Sequence, residues 1–228
     1  MTNNDIIKII DFIDKNEIDK ARDFLKTQLV KGTDKKSYNI LSLVKKIILS
    51  KETVSRPVLR SIMHCKSDNK QCICDGFVGI KWKQNESGLD ALAQTASENS
   101  IDLDAIMGNL PPIYKLTDND KFIIDNIDKF HDLALASKID KKEKGFTTYI
   151  FGKYFDVNII KNVIKICLAY DSDFANTNFY SEDILYRPVQ LENDNVKAII
   201  LPVRTKDDEE RDAIQTQTQK IIDMIKGN

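Results

Sequence analysis

The side chains of this chain best suited to holding a metal are His64, Cys65, Cys72 and Cys74, and their spacing argues against it. A zinc knuckle uses Cys-x-x-Cys so that two thiolates reach one ion, whereas Cys72 and Cys74 are a single residue apart. Neighbouring residues of a strand project to opposite faces, which parts His64 from Cys65. Together with Cys167, these thiols read as small buried apolar groups, too few and too scattered for a disulfide framework. The paired carboxylates Asp102/Asp104 and Asp118/Asp120 are of the kind that loops and helix starts carry. Asp171-Ser-Asp173 resembles a fragment of a calcium loop but lacks the downstream Gly and Glu at loop spacing. There is no phosphate loop, no nucleophile elbow and no His-Glu-x-x-His. The expectation is a non-enzymatic protein with no catalytic residue, no cofactor and no metal.

The remaining charge belongs to lysines on helices, so the elements that hold them matter. The 228 residues are 42% apolar and 30% charged, with only eight Gly and five Pro, which describes one or two globular domains with little linker. Lys and Arg number 34 against 35 Asp and Glu, a formal charge of −1 that neither proclaims nor excludes a nucleic-acid partner. No apolar run reaches transmembrane length, and Met1-Thr-Asn-Asn-Asp5 has no signal-peptide character. The expected setting is cytoplasmic, with no membrane partner.

Ile6, Ile7, Ile10 and Ile13 recur at near-helical spacing, and Ala21, Phe24, Leu25 and Leu29 form a second stripe beyond a break at Asn16. This pair reads as an accessory docking element over residues 1–36. A helix over Asn39–Leu49 carries Ile40, Val44, Ile47 and Ile48 on one face, with Lys45 and Lys46 off it. Strands then follow from Arg56-Pro57, around Gln71–Cys74 and over Phe77–Lys83, the last two joined at Asp75-Gly76, a hairpin signal because Gly tolerates positive φ. Leu89 to Ile106 reads as further short helix, and Leu110-Pro-Pro-Ile-Tyr114 as a crossing between halves. Phe122 to Ala136 reads as helix, Lys138–Gly145 as a basic turn and Phe146–Phe155 as a strand or hairpin. The clearest helix is Asn158–Leu168, with Ile159, Ile160, Val163, Ile164 and Cys167 as its buried stripe and Lys161 and Lys165 opposite. Strands fit Thr177–Ser181, Arg187–Glu192 and Val196–Val203, and residues 206–228 form a charged helical tail with an acidic first turn.

A helix with one apolar face followed by three short strands therefore occurs twice. Arg56-Pro-Val-Leu59 followed by Cys74-Asp-Gly-Phe-Val78 is similar to a segment of the bacterial DNA polymerase III beta-subunit, the sliding clamp family. Leu110-Pro-Pro-Ile-Tyr114 resembles the link between clamp domains, Phe155 to Ile166 resembles the helix of the last domain, and Ile199-Ile-Leu-Pro-Val-Arg204 resembles that domain's ending. The four pieces stand in the family's order from about Tyr38 to Arg204. Cys74 departs from the family's Thr, Phe77-Val78 replaces its basic-apolar pair, and the chain is much shorter than a three-domain subunit. A compact clamp-like protein of a phage or mobile element fits these departures.

The resemblance implies an α+β fold with helices on one face of antiparallel sheets over residues 37–205, flanked by the N-terminal helices and the tail. It implies a processivity factor that tethers a DNA polymerase or another clamp-binding protein to duplex DNA without reading sequence. Lys45, Lys46, Lys161 and Lys165 would then face DNA phosphates. Phe77, Val78, Leu201, Pro202, Val203 and Arg204 would wall an apolar groove for short partner peptides, which the tail could cover. The rival is a clamp-shaped interaction or inhibitory module that binds proteins only. A ring would need several copies joined edge to edge, so self-association is a further expectation.

Overall fold

The computed structural model of the chain describes residues 3–22, 24–25, 35–49, 59, 61–86, 89, 100–137 and 146–227. The strand start at Arg56-Pro57, residues 90–99 of the helix expected from Leu89 to Ile106, and the basic turn at Lys138–Gly145 lie outside these residues; Ile101, expected to be helical, lies in a short strand. The fold is mixed α and β, and its sheets hold antiparallel strand pairs and one parallel pair among those described. The chain divides into two compact units, Met1–Asp75 with Lys81–Leu103 and Gly76–Ile80 with Asp104–Asn228.

In the first unit, α1 (Asn3–Asp14) ends at Asn16, whose φ of 57° is the left-handed conformation that Asn tolerates better than most residues. The chain then turns back through helical residues 18–22, and the Phe12 and Phe24 rings meet at 6.2 Å. The expected break at Asn16 is therefore present. Ile6, Ile7, Ile10 and Ile13, however, remain exposed, while Ala21 is buried. Next comes α2 (Lys35–Ile48), starting four residues before the expected Asn39. Its Ile40, Val44, Ile47 and Ile48 are buried as the spacing requires, and Leu41 and Leu43 join them. Each such side chain removed from water contributes about 1.5–3 kcal/mol.

Three strands follow α2: β1 (Met63–Cys65), β2 (Gln71–Cys74) and β3 (Val78–Trp82). The first two pair antiparallel with Met63 opposite Cys72, and β4 (Ser100–Ile101) adds to β1 in parallel. Gly76 has a φ of 97°, the positive value expected of the Asp75-Gly76 turn. Gln71 is fully buried and satisfied: its amide nitrogen donates to the Glu86 carbonyl at 3.2 Å, and its side-chain oxygen accepts from Glu86 N at 2.6 Å.

The second unit repeats the order of a helix and three strands. It opens with α3 (Leu103–Met107), and after Leu110–Tyr114 come α4 (Asp118–Asp125) and α5 (Ile127–Ala136). The single helix expected over Phe122–Ala136 is thus two. Asn126 divides them, its side chain donating to the Phe122 carbonyl at 3.0 Å and so competing with the helix ladder. A hairpin follows, β5 (Thr147–Ile150) and β6 (Lys153–Asp156), with Phe151 and Gly152 at φ 56° and 73° forming its two-residue turn. Asp156 caps α6 (Val157–Leu168) by accepting from Asn158 N and Ile159 N.

The last three strands are β7 (Asn178–Tyr180), β8 (Val189–Glu192) and β9 (Val196–Ile200), antiparallel with Phe179 opposite Leu191 and Leu191 opposite Ala198. Strand order here is β3-β9-β8-β7. The expected strands at Thr177–Ser181, Arg187–Glu192 and Val196–Val203 are all present, each slightly shorter.

Leu110–Tyr114 lies within the second unit and runs along the outer edge of β7. Tyr114 N donates to Phe179 O at 2.7 Å and Ser181 N to Pro112 O at 3.0 Å. The tail is α7 (Asp208–Lys226), capped by the Asp207 carboxylate and ended by Gly227 at φ 81°. It packs on β5 and α5 and buries Thr218, Ile221 and Ile222. It is therefore part of the second unit's core.

Candidate functional site

The expected groove residues converge in part. Phe77 and Leu201 are tied by a 2.8 Å bond from Leu201 N to the Phe77 carbonyl. Both side chains remain substantially exposed, at 45% and 39%. Val78 instead is buried in the core, as is every residue of β3, which begins after Phe77. Pro202 and Val203 are half-buried and Arg204 is exposed, so the run from Leu201 to Arg204 borders a surface. Val203 N donates to the Tyr154 carbonyl at 2.8 Å, which fixes that run against β6. The apolar surface is thus Phe77 and Leu201, flanked by Pro202 and Val203.

The lysines fare differently. On α2, Lys46 is exposed and Lys45 half-buried. On α6, both lysines are engaged by α5, which packs against that helix. The Lys161 ammonium, only 17% exposed, lies 3.0 Å from an Asp128 oxygen and 3.1 Å from His131 Nδ1. Lys165 donates to the other Asp128 oxygen at 2.7 Å. His131 Nδ1 also lies 2.9 Å from Asp132 Oδ1, and its Nε2 lies 3.0 Å from Asn158 Oδ1. The Lys165 hydrogen bond above all, and then that of Lys161, holds the Asp128 carboxyl below its ordinary range. The periodicity of α6 marked Ile160, Val163, Ile164 and Cys167, which are buried, but also Ile159, which is only half-buried, and it left out Ile166, which is buried. It did not show that a second helix packs on α6.

Among the described residues, His64, Cys65, Cys72 and Cys74 are not brought together as a set of metal ligands. Burial pushes the Cys72 and Cys167 thiols up to about 12, so both are protonated at neutral pH. Asp171 braces its loop, accepting from Thr177 Oγ1 at 2.6 Å and Asn176 N at 3.0 Å. Asp118 and Asp120 open α4, as expected of helix-start acids.

Asp120 does more than cap, which its place in the sequence did not single out. Its Oδ2 accepts from Thr117 N (2.8 Å), Thr117 Oγ1 (2.7 Å) and the Tyr114 hydroxyl (3.0 Å), and its Oδ1 accepts from Phe151 N (2.8 Å). One buried carboxylate thereby joins the Leu110–Tyr114 segment, the start of α4 and the hairpin turn. Burial, and then Asp120, raise the Tyr114 hydroxyl above its ordinary range and keep it a donor. The signal available was Thr117-x-x-Asp120, a capping-box spacing. Lys153, also buried, donates to the carbonyls of Glu182 (2.8 Å) and Ile184 and holds that loop against the hairpin. Burial lowers its pKa.

Comparison of the chain with protein-family models, with curated proteins and with solved structures finds no match.

Proposed function

We propose that this chain is a non-enzymatic, clamp-like interaction module that docks partner proteins through the Phe77–Leu201 surface. The observation that carries the reading is that pair: two large apolar side chains, hydrogen-bonded through their backbones at 2.8 Å, both left exposed beside Pro202 and Val203. An exposed apolar pair at a sheet end suits the anchor residues of a short peptide. The twice-used order of one helix and three strands, α2 with β1–β3 and α6 with β7–β9, supports the clamp-like comparison.

The same repeat keeps a second reading in play, that of a processivity factor around duplex DNA. Two observations weigh against it. Asp128 already pairs with Lys161 and Lys165, so those ammonium groups would have to exchange a held carboxylate for a phosphate. The outer edge of β7 is occupied by Pro112–Tyr114, and two prolines there remove backbone donors that edge-to-edge ring closure would use. Fluorescence anisotropy of a labelled duplex at low and moderate salt separates the two. The interaction module gives no salt-sensitive DNA association. The processivity factor gives binding that falls steeply with salt and is abolished when Lys45, Lys46, Lys161 and Lys165 are all replaced by Gln.

A further inference from the structure

A cavity of about 670 Å³ lies in the second unit between the start of α4, β5 and α7, away from the Phe77–Leu201 surface in sequence and in lining. Its size falls in the range of small-molecule sites. It exists because the C-terminal helix docks where it does. Thr218 of α7 accepts from Tyr149 N at 3.1 Å, and Gln219 accepts from Asn119 Nδ2 at 3.0 Å.

The walls discriminate between ligand charges. Asp120 has spent its oxygens on four internal donors, so it offers nothing to a cation. Asp223 accepts from Gln219 Nε2 at 2.8 Å. The two carboxylates also oppose an anion, and Lys220 is a solvent-exposed side chain rather than a built anion site. Beyond the second Asp223 oxygen and the Lys220 ammonium, what remains unspent is neutral. The Tyr149 hydroxyl and the Thr216 hydroxyl make no hydrogen bond to the described residues, and Gln215 uses only its nitrogen, toward Tyr154 Oη at 2.7 Å. Both hydroxyls can donate and accept, and the Gln215 oxygen accepts. The Tyr114 and Tyr149 rings supply apolar walls. Burial raises the Tyr149 hydroxyl above its ordinary range, which keeps it protonated.

We infer that this cavity is a binding site for a neutral, polyhydroxylated ring, the chemistry shared by a free sugar and by the ribose of a nucleoside. Adjacent ring hydroxyls each donate and accept, matching Tyr149 Oη, Thr216 Oγ1 and Gln215 Oε1. The carbon-bound hydrogens of such a ring pack on a tyrosine face.

The test follows backbone amide shifts of the full, nitrogen-15-labelled chain during titration with methyl glucoside, adenosine and inorganic phosphate, each to about 20 mM, a range that captures weak millimolar sites. Saturable shifts confined to Tyr149 and residues 215–220 are expected with adenosine, with the glucoside, or with both. Adenosine alone identifies the nucleoside as the source, and both identify the sugar ring itself. Tyr149→Phe, which removes one oxygen and keeps the ring, weakens that binding about fivefold or more. Thr216→Trp, at a lining position of α7, fills the cavity and abolishes it. Absence of saturation with both organic probes overturns the inference. So does saturation of the same amides by phosphate alone, or binding that both variants leave unchanged.

Discussion

Asp120 shows how much a single side chain can organise. Four donors from three separate segments converge on its two oxygens, at 2.7 to 3.0 Å. Asp120→Asn keeps the shape but turns one acceptor into a donor aimed at other donors. The expected cost is about 2–4 kcal/mol, read as a lower urea midpoint with an unchanged slope. Its role as a helix-start acid was legible from Thr117-Asp-Asn-Asp120. Its bond to Phe151 N was not, because a turn 31 residues away leaves no local mark. The thiols give a second prediction at this scale. Cys72 and Cys167 have ordinary values of 9.0 and stand at about 12 when folded. A raised thiol favours the folded state at full strength below pH 9 and loses that contribution as pH rises toward 12. Stability should therefore decline across that window, and Cys72→Ala/Cys167→Ala should flatten the alkaline decline. At neutral pH both thiols should resist alkylation by iodoacetamide until the chain unfolds, as mass spectrometry would show.

At the scale of elements, the sequence was most readable where one face of a helix meets a sheet. Most of the isoleucines and valines spaced along one face of α2 and α6 are buried. It was least readable where a second partner covers the other face. Lys161 and Lys165 look solvated on a helical wheel, yet Asp128 on α5 holds both. The reverse holds for α1, whose isoleucine stripe promises burial while Ile7 and Ile10 are 62% and 51% exposed. Periodicity reports that a helix is amphipathic, not that its apolar face has found a partner. Ile7→Lys and Ile10→Lys should accordingly change the unfolding free energy by no more than about 0.5 kcal/mol in urea titrations. A loss of about 2 kcal/mol or more would mean that this stripe is buried. The tail was readable as a helix from its acidic start and apolar stripe. That it docks on β5 depended on Thr218 meeting Thr148 and Tyr149, contacts between residues about 70 positions apart.

For the molecule as a whole, the repeated helix and three strands were the strongest message of the sequence, and both copies are present in that order. The function proposed for them turns on which surface is left available. The lysines of α6 are paired, the β7 edge is taken by Pro112–Tyr114, and the tail packs on β5 and α5. Phe77 and Leu201 remain exposed next to one another. The most direct measurement is selection of displayed short random peptides on the intact protein, followed by the affinity of the enriched peptides for the wild type and for Phe77→Asp/Leu201→Asp. Both substitutions are at exposed side chains, so the variant should keep the wild-type circular dichroism and melting behaviour. The account predicts enriched peptides carrying apolar anchors, with binding weakened at least about tenfold in the variant, as truncation of central interface anchors does. Failure to enrich any peptide, or enriched peptides that bind the folded variant as tightly as the wild type, would contradict it.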